Sequence, residues 1–497
     1  MGQYLLSLDI GTTHCKAGLF DQCGKLIRVL SYPTPLHRAD TGVAYYDPDE
    51  LWTKCVHLLS QVLAGVQPDS ILSIGLTGMA ETGLLIDRES GYPRTPLIPW
   101  FESASAPQAE RLRAAGDPLE RFCRTGLRPN FKSGLAKILW LRAQDTTLVA
   151  GTLWLGAVDF IAYRLSGRMW TDFSLAGRSY AFRLDQRTWD EDWIRNLGLD
   201  PGLFPPASAS GHVHGGVTDQ AGRLIGLKSG TPVSICGHDH VCASFGIGVI
   251  NPRLVFDSMG TAEALLGIYE QRMLGETDFQ SGFAFGCHVL PDLNYWMGGL
   301  SASGGSIEWL RSVLAEGRLS YEELAALAAK ARPGPSGILY FPYLAGSGSP
   351  HTDIRVRAAL IGLDGAHSRA ELCKAILEGT AFEIDFILRH AEKSLGFEIE
   401  GLLASGGGTR NKAWMQIKSD IMGIPVKVPQ LEEAALLGAA LIAGLGCGVY
   451  SNVDDALAAR GQFDEEVYKP DPFNHQNYRP LCDCYLSWQK PLRDLAG

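Results

Sequence analysis

The segment Tyr4-Leu-Leu-Ser-Leu-Asp-Ile-Gly-Thr-Thr-His-Cys-Lys-Ala-Gly-Leu-Phe20 is apolar up to Asp9, turns at Gly11-Thr12-Thr13, and resumes an alternating run that ends at Asp21. That pattern predicts a β-hairpin with a small, polar tip. Such a tip can hold a phosphate. Gly11 lets the backbone approach an anion, exposed N–H and hydroxyl groups donate to its oxygens, and Asp9 supplies a carboxylate that Mg²⁺ can use directly or through water. An ordinary tight hairpin has the same Asp-x-Gly-Thr spelling, so this stretch alone leaves both readings open.

A second copy changes the weighting. Arg253-Leu-Val-Phe-Asp-Ser-Met-Gly-Thr-Ala-Glu-Ala-Leu-Leu-Gly-Ile-Tyr269 again runs strand, Asp257, Gly260-Thr261, strand, with one extra residue between the acid and the glycine. Two such hairpins half a chain apart predict two similar domains whose turns face one anion across a cleft. The fold class expected is α/β, with two actin-like, ribonuclease H-like domains and an interdomain catalytic cleft. This is the layout of the actin, Hsp70 and hexokinase (ASKHA) superfamily.

Composition agrees with that size of molecule. The 497 residues, 46% hydrophobic and 20% charged, are enough for two substantial cores. A net charge of −10 argues against broad nucleic-acid binding, while still allowing an anion to be held by backbone N–H groups and a bound cation. The eleven cysteines lack paired metal-ligand spacing and read as reduced thiols of a cytoplasmic protein. No signal peptide is expected, because Asp9 interrupts the first apolar run and no basic leader precedes it. Ala434 to Val449 is too short and too rich in Gly and Ala for a membrane span, and reads as a buried, closely packed helix.

Between the hairpins, Asp47 and Pro48 mark a helix start, with Leu51, Trp52, Val56 and Leu59 at helical spacing. A strand over Ile71 to Leu76 ends in Thr77-Gly-Met-Ala-Glu-Thr-Gly83, so Met79, Glu81 and Thr82 are candidate substrate contacts, although Glu81 also reads as a solvated turn residue. Trp100 can stack on a sugar face or sit in the core. The region from Ala106 to Leu165 is helical in pattern with breaks at Gly126 to Lys132 and at Gly151, and Leu153 to Leu165 is expected to be one helix; a loop-rich stretch follows to Pro206. Pro232 to Gly248 is a second chemical centre: a strand enters Gly237, and His238-Asp239-His240 starts a helix. Asp239 at a helix N-terminus is favoured as a carboxylate and suits a general base, or it merely caps the helix. Zinc is not expected. The His212/His214 and His238/His240 pairs have no His-x-x-x-His or paired-Cys partner, and each would point its rings to opposite faces if extended. Farther on, Ser301 to Arg311 and Leu402 to Asn411 each run through a glycine turn into a helix, where a nucleotide can approach the backbone.

With these residues in hand, the chain resembles the FGGY carbohydrate kinases, the family of glycerol kinase, xylulokinase and gluconokinase. The resemblance rests on Asp9-Ile-Gly-Thr-Thr13, Gly237-His-Asp-His240, Met259-Gly-Thr261, Gly304-Gly-Ser-Ile-Glu-Trp-Leu310, Ala375-Ile-Leu-Glu-Gly379, and Ser405-Gly-Gly-Gly-Thr-Arg-Asn411 through Glu432 and Gly438-Ala-Ala440. It implies an N-terminal domain over 1–246 that binds the sugar and a C-terminal domain over 247–497 that binds the nucleotide. It implies ATP and Mg²⁺ as cofactors, Asp239 as the catalytic base and Asp9 as the metal ligand. Gly11, Thr12, Thr13, Lys16, Gly260 and Thr261 would lie on the phosphate side, with Gly304, Gly407, Gly408 and Asn411 bordering the nucleotide. Met79, Glu81, Thr82, Trp100, Asp239 and His240 would line the substrate.

The substrate segments depart from familiar members. Gly78-Met-Ala-Glu81 replaces the Gln-Met-His-Gly of xylulokinases; Glu81-Thr82 is similar to the Arg-Glu-Thr of glycerol kinases, with Ala80 in place of the arginine. The expected acceptor is a pentulose or hexulose, then a polyol of the glycerol or erythritol type, then an aldonate. The expected partners are this small molecule and at most a second copy of the chain, with no nucleic acid and no membrane. A reading from another class is an actin- or Hsp70-like nucleotide switch, for which no peptide-binding or polymerising element is visible.

Overall fold

Two mixed sheets organise the chain in a computed structural model that describes residues 2–315 and 317–495, so Met1 and Gly497, the outer ends of the expected domains, lie outside the described residues. The first sheet contains β1 (Tyr4–Ile10), β2 (His14–Asp21), β3 (Leu26–Pro33), β4 (Ile71–Gly78), β5 (Val213–Gly216) and β6 (Pro232–His238), in the order β5-β6-β4-β1-β2-β3. The second contains β7 (Leu254–Met259), β8 (Glu263–Glu270), β9 (Ala284–Cys287), β10 (Leu293–Leu300), β11 (Gly401–Ser405), β12 (Val426–Pro429) and β13 (Glu465–Tyr468), in the order β9-β10-β8-β7-β11-β12-β13.

The two orders superpose strand for strand once the extra edge strand β9 is set aside. In each, a hairpin is extended by a third antiparallel strand on one side; on the other come two parallel strands and an antiparallel edge. The repeat seen in the two Asp-Gly-Thr segments is therefore a repeat of whole domains.

Helices cover the faces: α1 (Pro48–Val62), α2 (Ala157–Ser166), α3 (Asp239–Ile247), α4 (Gly304–Ala315), α5 (Arg369–Leu395), α6 (Lys412–Met422), α7 (Ala434–Gly446) and α8 (Pro472–Asp494). The start of α1 follows the sequence reading, with Asp47 accepting from the Glu50 N–H and Pro48 in the first turn. The apolar run at 434–446 is buried, as its small residues suggested. Helix α7 packs against α3 and lies on β1, β2, β4 and β6, so a segment from the second half of the chain seals the first sheet. Together α3 and α7 form a core shared by both sheets, with Leu5, Phe20, Phe256, Leu266 and Tyr295 around them. The expected boundary after residue 246 falls in the last turn of α3.

Three local expectations need correction. Leu153, Trp154 and Leu155 are not helical: Thr152–Gly156 is a strand paired with Gly83–Asp87, and the helix starts only at Ala157. A short apolar run does not distinguish the two states, and here cross-strand pairing decides. The His238 and His240 rings do not diverge but stand 5.3 Å apart, because the chain passes from strand to helix between them. The His212 and His214 rings are 4.6 Å apart, since the register against β6 shifts between Val213 and Gly215 and removes the simple alternation. All eleven cysteines are free thiols, and no helix among the described residues is long and apolar enough to cross a membrane.

Candidate active site

Strand register assembles the site. In the first sheet β1, β4 and β6 are parallel neighbours, with Ile10 opposite Gly78 and Gly78 opposite His238. Their carboxyl ends therefore bring Asp9-Gly11, Met79-Glu81 and Asp239 to one edge, the position where open α/β sheets bind ligands.

At this edge Asp239 is the first residue of α3. Its Oδ1 accepts from the His240 backbone N–H at 2.6 Å and lies 2.8 Å from His240 Nδ1 and 3.2 Å from His238 Nε2. Oδ2 has no protein partner among the described residues. Burial alone would raise the pKa of this acid, but the two histidines hold it well below the usual carboxylate range. Burial pushes His238 down to about 4, whereas Asp239 lifts His240 above the ordinary histidine value against the effect of burial. Donor atoms of His238, Asp239 and His240 lie within 4.8 Å of one another. Asp9 comes next. Its Oδ1 is buried without a hydrogen-bond partner, and burial followed by repulsion from Asp239 drives its pKa well above normal.

Glu81 is not a solvated turn residue. Arg178 grips its Oε1 through Nε at 3.1 Å and Nη2 at 2.7 Å. Its backbone is left-handed, with φ of 64°, a conformation that non-glycine residues hold only when their surroundings enforce it. The enforcing group is Lys137, fully buried, whose Nζ donates to the carbonyls of Glu81 at 2.5 Å and Lys132 at 2.8 Å. Burial lowers the Lys137 pKa to about 7. Burial opposes ionisation of Glu81 too, but Arg178, Lys132, Lys137 and His238 outweigh it and keep the pKa low.

Trp100 is half-buried and ties the hairpin tip to this pocket. Its indole N–H donates to Thr12 Oγ1 at 2.9 Å and its backbone N–H to Thr82 Oγ1 at 3.0 Å. Thr82 is buried and serves as this anchor, and Met79 is buried with its sulfur 3.9 Å from Thr12 Oγ1. Gly11 accepts from Thr34 Oγ1 at 2.7 Å, and Thr13 stays at the open tip. Lys16 reaches Glu433, just before α7, with 2.9 Å to both carboxylate oxygens.

The remaining named residues gather elsewhere. Gly260, Thr261, Gly304, Gly407, Gly408 and Asn411 line one cavity of about 740 Å³, together with Tyr321, Glu322, Ala325 and Trp414. The parallel register of β7 with β11, Ser258 opposite Ser405, brings the two glycine turns to one edge, as in the first sheet. The Gly304 N–H donates to the Gly260 carbonyl at 3.1 Å, and a Cβ at 304 would stand 2.5 Å from that same oxygen. Asn411 caps α6 by accepting from the Trp414 N–H at 3.1 Å.

Asp257 does not repeat the role of Asp9. It is fully buried and bound at 2.5 Å by Lys418, which makes an equal contact with Glu263. Burial and the neighbouring Glu263 push Asp257 up to about 8. The second acid holds its hairpin to α6, while the first lies beside Asp239 with an unpartnered oxygen.

Sequence reading missed Arg178, Lys132, Lys137 and Tyr321 as site residues. Lys137 left a trace, a lysine within the apolar run Leu135 to Leu139; Arg178 left none.

Comparison with known proteins agrees with this arrangement. Residues 4–246 match the N-terminal domain of the FGGY family of carbohydrate kinases and residues 258–447 its C-terminal domain. A xylulose kinase from Staphylococcus epidermidis is 26% identical over all of this chain and 98% of its own length. A glycerol kinase from Gloeobacter violaceus is 31% identical over 92% of this chain and 90% of its own. The crystal structure of xylulose kinase from Rhodospirillum rubrum superposes with a TM-score of 0.91 at 26% identity, covering 99% of this chain and all of that one. With both family domains matched in order across the two repeated sheets, the chain belongs to the FGGY family of carbohydrate kinases and is an ATP-dependent phosphotransferase acting on a sugar or polyol.

Proposed function

We propose that this kinase phosphorylates a pentulose or hexulose ketose, with Asp239 as its base. The observation that carries the reading is the alignment of three parallel strand ends, which brings Asp239 to the same edge as the Asp9 carboxylate and Glu81, itself held by Arg178. Asp239 Oδ2 accepts the hydrogen of the attacking hydroxyl, while His238 and His240 fix the other oxygen. Because its pKa is depressed, Asp239 is ionised throughout the neutral range, and its first task is to orient the hydroxyl. Phosphoryl transfer has a loose transition state and asks for proton removal only late in the reaction. Glu81 accepts from a second hydroxyl, and the half-buried Trp100 face offers an apolar wall.

The hairpin tip at Gly11 to Thr13 and the Gly260-Thr261 turn would hold the phosphates, with the nucleoside in the cavity beside Gly304, Gly407, Gly408 and Asn411. The residues present fit Mg²⁺: Asp9 carries a buried, unpartnered oxygen beside Asp239, and both are the hard donors that this ion takes. When bound, the ion would supply neutralisation of charge on the phosphate oxygens. Eleven free thiols suit a reducing, cytoplasmic setting.

A polyol acceptor is the second reading, favoured by Glu81-Thr82 and by the 31% identity to a glycerol kinase. The test is sugar-dependent ADP release by the wild type and by Asp239→Asn across ketoses, polyols and aldonates. Loss of a general base is expected to lower turnover roughly a hundred- to ten-thousandfold with ATP binding retained. Near-normal turnover in the variant would remove Asp239 from the mechanism, and ATP hydrolysis indifferent to sugar would point to a nucleotide switch.

A further inference from the structure

Lys132 sits in the loop between the helices Pro118–Thr125 and Gly134–Gln144, with its backbone held on both sides. Its N–H donates to Asn130 Oδ1 at 2.8 Å, and its carbonyl accepts from Lys137 Nζ at 2.8 Å. The side chain is half-buried and its Nζ stands 4.9 Å from the centre of the Trp100 ring. Among the described residues that ammonium has no hydrogen-bond or ion-pair partner. Burial draws its pKa below the ordinary lysine value, although Glu81 acts in the other direction.

Among the described residues Glu81 makes no ion pair with Lys132, and both Arg178 contacts with Glu81 fall on Oε1. The other oxygen, Oε2, has no protein donor among the described residues. The pocket thus presents two complementary unfilled groups: a donor-only ammonium and an acceptor-only carboxylate oxygen.

We propose that Lys132 selects substrates carrying an acceptor-only oxygen, the carbonyl of a ketose or the carboxylate of a sugar acid, next to a hydroxyl that donates to Glu81. The proposal rests on the kinase reading only for the placement of the sugar at this edge. A polyol matches the pair less well. Its hydroxyl can accept from Lys132 but brings a hydrogen of its own, which needs an acceptor beyond the Glu81 oxygen already taken by the neighbouring hydroxyl. The ring face satisfies a cation only in part, so a carbonyl or carboxylate oxygen gains more from the ammonium than a hydroxyl does.

Calorimetric binding without ATP tests this with matched pairs, D-xylulose against xylitol and D-fructose against mannitol, plus D-gluconate. The proteins are the wild type, Lys132→Met, which keeps the apolar stem, and Lys132→Arg, which keeps a charged donor. The wild type is expected to bind its best keto sugar or acid at least about tenfold more tightly than any polyol, the scale of discrimination a lost polar contact produces. In Lys132→Met that preference should vanish while polyol binding stays within about twofold, and Lys132→Arg should recover part of it. Whether xylulose, fructose or gluconate binds best separates carbonyl from carboxylate. The proposal is overturned if the wild type binds polyols as tightly, if it binds none of the five, or if Lys132→Met weakens all of them alike. ADP release measured in parallel judges the kinase reading separately: Lys132-dependent binding without sugar-stimulated ADP would sink that reading and leave the selection intact.

Discussion

At the scale of single residues, the site is governed by how each buried charge is answered. Asp239 keeps its charge because two histidines share one of its oxygens, Glu81 because Arg178 holds it, and Asp9 is left with an oxygen that no group among the described residues satisfies. Lys137 is the least visible of these groups and fixes the most. It holds Glu81 in a left-handed conformation and pins Lys132 through two carbonyls that would otherwise lack this partner. Substituting Lys137→Met is therefore expected to strain the pocket without touching the nucleotide cavity. Leaving buried carbonyls unpaired costs about 1–3 kcal/mol each, so KM for the sugar should rise roughly tenfold or more while KM for ATP holds. Equal changes in both constants would show that Lys137 supports the whole domain and not this turn. Much of this layer could not be read from the chain. Asp239, Glu81 and Trp100 stand in segments whose strand-to-turn pattern marks them, whereas Arg178 lies in a short 3-10 turn, Gly177–Ser179, that the local sequence does not signal, and only folding brings it to Glu81.

At the scale of elements, the decisive contact is the crossing of α3 and α7, because α3 begins with Asp239. Small residues make the approach possible: a Cβ at Gly438 would lie 2.0 Å from the Cys242 carbonyl, and one at Gly246 would lie 2.2 Å from the Ala434 carbonyl. The sequence showed the run of small residues at 434–446 and its buried character, but not its partner, which lies nearly two hundred residues earlier. The same limit explains the strand at Thr152–Gly156, whose apolar run acquires its state from pairing with Gly83–Asp87. Gly438→Ala is expected to force the helices apart. Overpacking of this kind costs about 1–3 kcal/mol, which thermal unfolding will register. Activity should fall further than stability alone explains, since a shift of about 1 Å at a reacting group can cost a hundredfold in rate. A variant that unfolds at the wild-type temperature with unchanged kcat would show that the crossing has room to spare.

At the scale of the whole molecule, two copies of one strand order share a seam, and the copies have diverged in what they do with the same acid. The Asp-Gly-Thr repeat was enough to foresee the duplication because each copy is written in contiguous residues; the burial of Asp257 against Lys418 was not, because the lysine lies far downstream. The second copy is completed by α8, which packs on α6 and α5 of its own domain. The join centres on Glu383 of α5, whose Oε2 accepts from Tyr485 at 2.5 Å, Tyr343 at 2.9 Å and Gln489 at 3.3 Å. Burial outweighs these hydrogen bonds and raises Glu383 from an ordinary 4.5 to about 7. Between pH 4.5 and 7 the folded protein still holds this proton after the unfolded chain has released it, so the contribution to stability is full below 4.5 and declines as pH rises. Over that window the loss is on the order of 3 kcal/mol. Glu383→Gln keeps the size and an acceptor oxygen but cannot ionise, so its unfolding temperature should exceed that of the wild type increasingly from pH 5 to pH 7.5. Parallel curves for the two proteins across this range would mean that Glu383 is solvated in the fold and that α8 is not held by a neutral acid.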